Sequence, residues 1–351
     1  MNITASIAVP TLVRVKPDAI DRVGLYLSRP GHRRPALLYS DGIVPDLLQR
    51  LHRGMNQAEL SPVVEIPVRE ASMEQATGLF TELPVEADAI VGFGGGKALD
   101  VAKYVAFLAK KPFYAVPTSL SNDGFCSPGA SLTIAGRRRS LPSRLPYGVV
   151  LDTRVCRQAP APLWASGVGD LVAKVTAVFD WKLAFHRRGT PVNDLAALLS
   201  DATVMQFMAA PERTDEGARL LGTALMLNGI AMEICGSSRP ASGSEHLISH
   251  ALDEITGGSH LHGIQVGIAT YIVSRLQGEG TGRIAAVLER AGFRQAVREQ
   301  PLSREALLEA ARRAPDLKKD FYTVLSERDC VPEIAAMVED DPWLEGCFSN
   351  P

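Results

Sequence analysis

The sequence predicts an α/β domain built on an open, mainly parallel sheet, followed by an all-α domain, and three observations carry that expectation. Short apolar runs alternate with helical stretches up to about residue 160. A glycine-rich turn joins one of those runs to a helix. Beyond Pro160 and Pro162 the pattern changes to long helical segments, and convincing strands nearly vanish.

The strand candidates are 36–40, 63–67, 88–93, 113–116 and 147–151, each ended by glycine, proline or polar residues. Strands separated by helices form a Rossmann-like parallel sheet covered by helices, and its ligands sit beyond the carboxyl ends of the strands. The later segments 163–185, 195–210, 217–235 and 262–276 suit helices. The expected division is therefore 1–160 and 161–351, with the main cleft between the two domains. The length of 351 residues accommodates such a pair, and 46% hydrophobic with 22% charged residues supports packed cores.

Lysine and arginine number 37 against 39 acidic residues, a net charge of −2, so no global positive field favours a nucleic-acid partner. No uninterrupted apolar run of about 18 residues appears, and the N-terminus lacks the basic and apolar regions of a secretory signal. The expectation is a cytoplasmic protein without integral membrane contact. Five cysteines without CxxC spacing fit scattered thiols in a reducing compartment.

The run at 88–93 leads into Gly94-Gly95-Gly96-Lys97, after which 98–109 reads as a helix. Consecutive glycines let backbone amides approach a pyrophosphate, and a helix amino end favours negative charge. The turn fits neither GxGxxG nor GxxxxGK[ST], so a tight strand-to-helix turn is the bland alternative. Asp100 either contacts the glycine loop or caps local structure, and Lys103 reads as a surface or interdomain charge. The next run ends in Pro117-Thr118-Ser119-Leu120-Ser121-Asn122-Asp123-Gly124, with Ser127-Pro128 beyond. Its hydroxyls suit phosphate or sugar oxygens and Asp123 suits a ribose or substrate hydroxyl, against a self-capped turn. Arg137-Arg138-Arg139 reads as a solvated turn and is assigned no role.

Asp170 follows Trp164-Ala165-Ser166-Gly167-Val168-Gly169, where it either faces a ligand or caps a helix starting at Leu171. Four of the seven histidines, His246, His250, His260 and His262, fall close together. His246 and His250 share a helix face, but Glu245 precedes His246, so the segment is not HExxH. A carboxylate with two imidazoles and an open position suits zinc or a comparable divalent cation. Spacing alone leaves open which histidines bind; His260 reads as a cap or a solvent-facing residue.

Taken together, Gly94 to Lys103, Pro117 to Pro128, Gly169-Asp170, Asp180-Trp181-Lys182-Leu183-Ala184, Gly236 to His246 and His262-Gly263 resemble the glycerol-1-phosphate dehydrogenases. These belong to the iron-containing alcohol dehydrogenase and dehydroquinate synthase-like superfamily. The resemblance spans roughly residues 35–340 and implies an NAD(P)-dependent oxidoreductase that interconverts dihydroxyacetone phosphate and sn-glycerol 1-phosphate. It implies cofactor contacts from Gly94, Gly95, Gly96, Lys97, Asp100, Thr118, Ser119, Ser121 and Ser127. It further implies metal ligation by Asp170, His246 and His262, and substrate contacts from Asp123, Asp170 and His250, with Asp170 and His250 the catalytic pair. The cofactors implied are NAD or NADP and one divalent metal, zinc, with iron or nickel in relatives. The partners are a small phosphorylated polyol or ketone and further copies of the chain in a homo-oligomer. Phe125-Cys126, the Gly257-Gly258-Ser259-His260 lead and Ile264 depart from the usual pattern, which admits a related phosphorylated or phosphonate-bearing compound. A dehydroquinate synthase-like cyclase with transient NAD reduction is the other alternative.

Overall fold

All five expected strands enter one six-stranded parallel sheet in a computed structural model, which describes residues 7–349. The chain divides into two compact units. One comprises the chain up to Leu120 together with Gly124–Ala159, and the other comprises Ser121–Asp123 with the chain from Pro160 onward.

In the first unit the strands are β1 (Leu12–Lys16), β2 (Pro35–Ser40), β3 (Val64–Val68), β4 (Ala89–Gly94), β5 (Phe113–Pro117), β6 (Gly129–Ile134), β7 (Arg137–Pro142) and β8 (Gly148–Asp152). The helices are α1 (Val23–Ser28), α2 (Pro45–Asn56), α3 (Met73–Glu82), α4 (Gly96–Ala109) and α5 (Thr153–Gln158). Strand order across the sheet is β1-β8-β5-β4-β2-β3. The chain steps outward from β2 to β3, then returns to place β4 on the other side of β2, so the order reverses between β2 and β4. Sheets of this kind bind their ligands beyond the carboxyl ends of the strands at such a reversal.

Alternation does the packing: Val91 and Phe93 of β4, with Tyr114 and Val116 of β5, face one core with Leu51 and Met55 of α2. On β4 a Cβ at Gly92 would lie 2.9 Å from the Ala102 Cβ, so the missing side chain lets α4 settle against the strand. The edge strand β1 and both strands of the β6–β7 hairpin escaped the sequence pattern. The edge strand β1 pairs with β8, and Arg137-Arg138-Arg139 is not a turn but the start of β7, antiparallel to β6. The turn lies just before it, at Ala135 and Gly136, both with positive φ as a tight hairpin requires. The three arginines are solvent-exposed.

The second unit is helical: α6 (Ala161–Arg188), α7 (Asp194–Ala209), α8 (Asp215–Cys235), α9 (Ser244–Thr256), α10 (His262–Gln277), α11 (Thr281–Arg290), α12 (Phe293–Glu299), α13 (Arg304–Leu317) and α14 (Val331–Asp340). A two-residue pair, β9 (Leu302–Ser303) and β10 (Phe348–Ser349), is its only strand pairing among the described residues. Helix α8 is long and apolar enough to cross a membrane by composition, yet 61% of that window is buried within the fold, as in a core helix.

Candidate functional site

In the first unit, Gly94 ends β4 with φ 134°, and a Cβ there would lie 2.1 Å from Ser40 Oγ at the end of β2. Only glycine meets both conditions. Ser40 Oγ accepts the Gly95 N–H at 3.0 Å, which ties the turn to the neighbouring strand at the point where strand order reverses. A Cβ added at Gly95 or Gly96 would meet nothing within 4 Å, so the face of the turn at the amino end of α4 is open to a close-approaching phosphate. Lys97 is exposed on the first turn of α4. The Thr118 N–H donates to the Gly94 carbonyl at 3.0 Å, placing Thr118 and Ser119 beside the glycine turn.

Lys103 corrects the expectation of a surface or interdomain charge: it is 1% exposed. Its ammonium reaches the carbonyls of Gly124 and Gly129, each at 2.5 Å, and the Ser127 Oγ at 3.2 Å. Buried Asp100 stands 3.6 Å away and is hydrogen-bonded by the Ser131 N–H, so its carboxylate faces Lys103 and β6. The Ser127 hydroxyl is likewise engaged in this knot, donating to the Gly129 carbonyl at 3.0 Å. A lone lysine in the sequence carries no sign of this; the carbonyls it gathers lie more than twenty residues away.

In the second unit, Asp170 is not a cap, as one sequence reading held, because α6 begins at Ala161 and carries Asp170 in its interior. Its place is set by glycines. A Cβ on Gly169 would lie 2.0 Å from the Gly263 carbonyl oxygen, and a Cβ on Gly263 would lie 1.8 Å from the Ser166 carbonyl oxygen. The backbones of α6 and α10 therefore touch directly, next to Asp170 on one helix and His262 on the other. The Gly263 N–H, an orphan donor of the first turn of α10, is satisfied by Ser166 Oγ at 3.1 Å.

His246 enters from the first turn of α9. Its Nε2 stands 3.3 Å from Asp170 Oδ1, and the His246 and His262 ring centres are 5.2 Å apart. Donor atoms of Asp170, His246 and His262 all lie within 4.8 Å of one another, the one such grouping among the described residues. Tetrahedral zinc ligands at their usual bond lengths are separated by about 3.3 Å, so the Asp170–His246 edge already has that length.

Orientation is built in as well. His246 Nδ1 meets Glu245 Oε1 at 2.9 Å, and Glu245 Oε2 accepts from Thr176 Oγ1 at 2.9 Å. Ser249 Oγ donates to Gln265 Oε1 at 2.7 Å and so accepts from His262 Nδ1 at 3.2 Å. Both imidazoles thus face an oxygen through Nδ1, the arrangement by which a metal-ligating histidine keeps Nε2 for the metal. Glu245, Ser249 and Gln265 were missed as functional residues. Glu245 offered a signal, a carboxylate adjacent to a candidate ligand; the other two have none until α9 packs on α10.

His250, one turn beyond His246, is exposed, and its ring stacks on that of His262 at 5.9 Å. Asp123 and Ser121 both cluster with this unit: the Asp123 N–H donates to Asp170 Oδ2 at 2.9 Å, and Ser166 Oγ donates to the Ser121 carbonyl at 2.8 Å. His260 lies away from this cluster, bonded to Ser259 Oγ and to the Pro301 carbonyl. A further buried group, Lys174, touches both Asp123 and Asp170 at 3.1 and 3.2 Å.

Charge follows from this packing. Burial alone would raise the Asp170 carboxyl, but Lys174, His246 and His262 override it and hold the group well below the usual carboxylate range. Burial and the neighbouring Asp170 carboxylate raise Asp123. Burial would lower His246, yet hydrogen bonds to Asp170 and Glu245 raise it.

The iron-containing alcohol dehydrogenase family model matches residues 14–160. The chain is 34% identical to a glycerol-1-phosphate dehydrogenase [NAD(P)+] of Aeropyrum pernix, covering 94% of this chain and 95% of the relative. It is 43% identical to the enzyme of that name from Cenarchaeum symbiosum, over 69% of each chain. Among solved structures, a glycerol dehydrogenase from Schizosaccharomyces pombe matches with a TM-score of 0.76 at 17% identity, covering 99% of this chain and 95% of that one. A probable glycerol dehydrogenase from Sinorhizobium meliloti matches with a TM-score of 0.73 at 20% identity, covering 95% and 99%. These structures support the fold, and the sequence relatives support something narrower. The chain belongs to the glycerol-1-phosphate dehydrogenase family.

Proposed function

We propose that this enzyme interconverts dihydroxyacetone phosphate and sn-glycerol 1-phosphate, with NAD or NADP as hydride partner and one divalent metal, zinc, at Asp170, His246 and His262. The observation that carries the reading is the convergence of those three side chains, with both imidazoles already turned by Glu245 and Ser249. When bound, the metal supplies Lewis acidity to the substrate carbonyl and the nicotinamide supplies the hydride.

The chain's own residues do the rest. The turn at Gly94, Gly95 and Gly96 receives the pyrophosphate at the amino end of α4, beside the hydroxyls of Thr118 and Ser119. Asp123 accepts a substrate hydroxyl next to Asp170, and the exposed His250 imidazole contacts the substrate from the next turn of α9. His250 is also the group placed to exchange a proton with solvent on the substrate's behalf. We place the enzyme in the cytoplasm as a homo-oligomer; none of its five cysteines is in a disulfide, which fits a reducing compartment.

The test is dihydroxyacetone phosphate-dependent oxidation of NADH and NADPH by purified protein, stripped of metal and reloaded with zinc. Stoichiometric oxidation that returns with zinc is expected. Product formed without net cofactor oxidation would indicate a cyclase, and no turnover after metal restoration would sink the reading.

A further inference from the structure

Lys174 is a fully buried lysine to which the proposed chemistry gives no task. It lies one helical turn beyond Asp170 on α6, and its ammonium meets three oxygens: Asp123 Oδ2 at 3.1 Å, Asp170 Oδ1 at 3.2 Å and the Ala241 carbonyl at 3.2 Å. An ammonium has three N–H donors, so these partners occupy all of them and leave none to donate to a substrate. A direct role in proton transfer is therefore not what the geometry offers.

What it offers is a tie. Asp123 arrives from a short loop segment and Asp170 from the interior of a long helix, and two carboxylates side by side repel. The main-chain N–H of Asp123 bonds one Asp170 oxygen, but among the described residues Lys174 is the side chain seen to bridge the two carboxylate groups themselves. Its stem is anchored on α6 and its third donor on the Ala241 carbonyl in the connection just ahead of α9, so the bridge is held from two places in the chain.

We propose that Lys174 is a positioning residue that locks the Asp123 carboxylate against Asp170, so that the substrate-hydroxyl acceptor and the metal ligand address one substrate together. The proposal rests on the reading of Asp170 as a ligand and Asp123 as a substrate residue. Two consequences separate it from a general structural role. Lys174 acts through Asp123, so its loss matters only while Asp123 is a carboxylate. It also adds positive charge beside a metal ligand, so its loss leaves a dication held at least as tightly, the opposite of losing a ligand.

The experiment compares wild type, Lys174→Met, Asp123→Asn and the double variant, each loaded with zinc. It measures steady-state kinetics on dihydroxyacetone phosphate and NADH, and zinc retention against a chelator. Lys174→Met should raise the KM for dihydroxyacetone phosphate and lower kcat/KM by roughly 100-fold, the size of a lost buried charged contact. The KM for NADH should not move, zinc should be retained at least as well as in wild type, and the double variant should be no slower than Asp123→Asn alone. Additive losses, or zinc released faster from Lys174→Met than from wild type, would overturn the proposal. If Lys174→Met fails to fold, the double variant, which restores charge balance, still decides by comparison with Asp123→Asn. If wild type does not turn over dihydroxyacetone phosphate, the functional reading falls, and zinc retention by Lys174→Met decides this proposal separately.

Discussion

The two units each bury a lysine, and the two lysines do opposite things. Lys103 of the first unit gathers main-chain carbonyls of Gly124 and Gly129, whereas Lys174 of the second gathers the side-chain carboxylates of Asp123 and Asp170. The same contrast runs through the sites. The glycine turn presents backbone, and its key residues are consecutive; the Asp170, His246 and His262 cluster presents side chains from α6, α9 and α10. A backbone site is specified by local conformation, and a side-chain site by how helices pack.

If that contrast is right, the two sites should fail separately. His262→Ala should release zinc and cut kcat/KM by roughly 1,000-fold, about 4 kcal/mol, with NADH binding by fluorescence unchanged. Gly94→Ala, which drives a Cβ toward Ser40 Oγ, should do the reverse, weakening NADH while zinc is retained. Simultaneous loss of both in either variant would break the comparison.

A smaller effect sharpens it. Gly263→Ala pushes a Cβ onto the Ser166 carbonyl and should separate α6 from α10, costing about 3 kcal/mol of stability. Thermal unfolding and zinc affinity should fall together, because the contact that holds the helices also sets the ligands. Unchanged zinc affinity in a destabilised variant would detach the glycine contact from the site.

Glu245→Gln keeps the shape and removes the charge behind His246, and about 10- to 100-fold weaker zinc binding is expected by chelator competition. The least effect concerns Asp180, buried beside Glu245 and hydrogen-bonded by the Ser244 and Val324 N–H groups. Burial, with Glu245 adding to it, pushes its carboxyl up to about 6. A group raised in the folded state favours folding most when protonated, so its contribution is complete below its ordinary value and is lost as pH rises through about 6. The unfolding free-energy difference between wild type and Asp180→Asn, from thermal melts, should therefore shift in favour of wild type as pH falls from 7 to 5, by about 1 kcal/mol. A flat difference would remove Asp180 from the pH response.

Much of this was legible beforehand where chemistry is local. Short apolar runs ended by turn residues marked β2, β3, β4, β5 and β8, and the glycines marked the turn. The edge strand β1 was not so marked, being only five half-buried residues long, nor was the arginine-bearing β7, whose solvent-exposed residues carry no apolar period. Asp170 taken alone read more readily as a cap than as a ligand, because that choice depends on where α6 begins. Lys103 read as a surface or interdomain charge because its partners Gly124 and Gly129, between β5 and β6 and at the start of β6, come close only in the fold.

By itself, then, the sequence determined the parallel sheet, the change to helices near residue 160, the glycine turn and, through resemblance, the three side chains that converge in the second unit. Tertiary structure decided the rest: that Asp170 sits inside a helix, that Glu245 and Ser249 aim the imidazoles, and that Lys174 bridges two carboxylates. Periodicity and turn chemistry are properties of neighbours along the chain. A buried ion pair between residues from a loop and a helix exists only once water has been excluded around both.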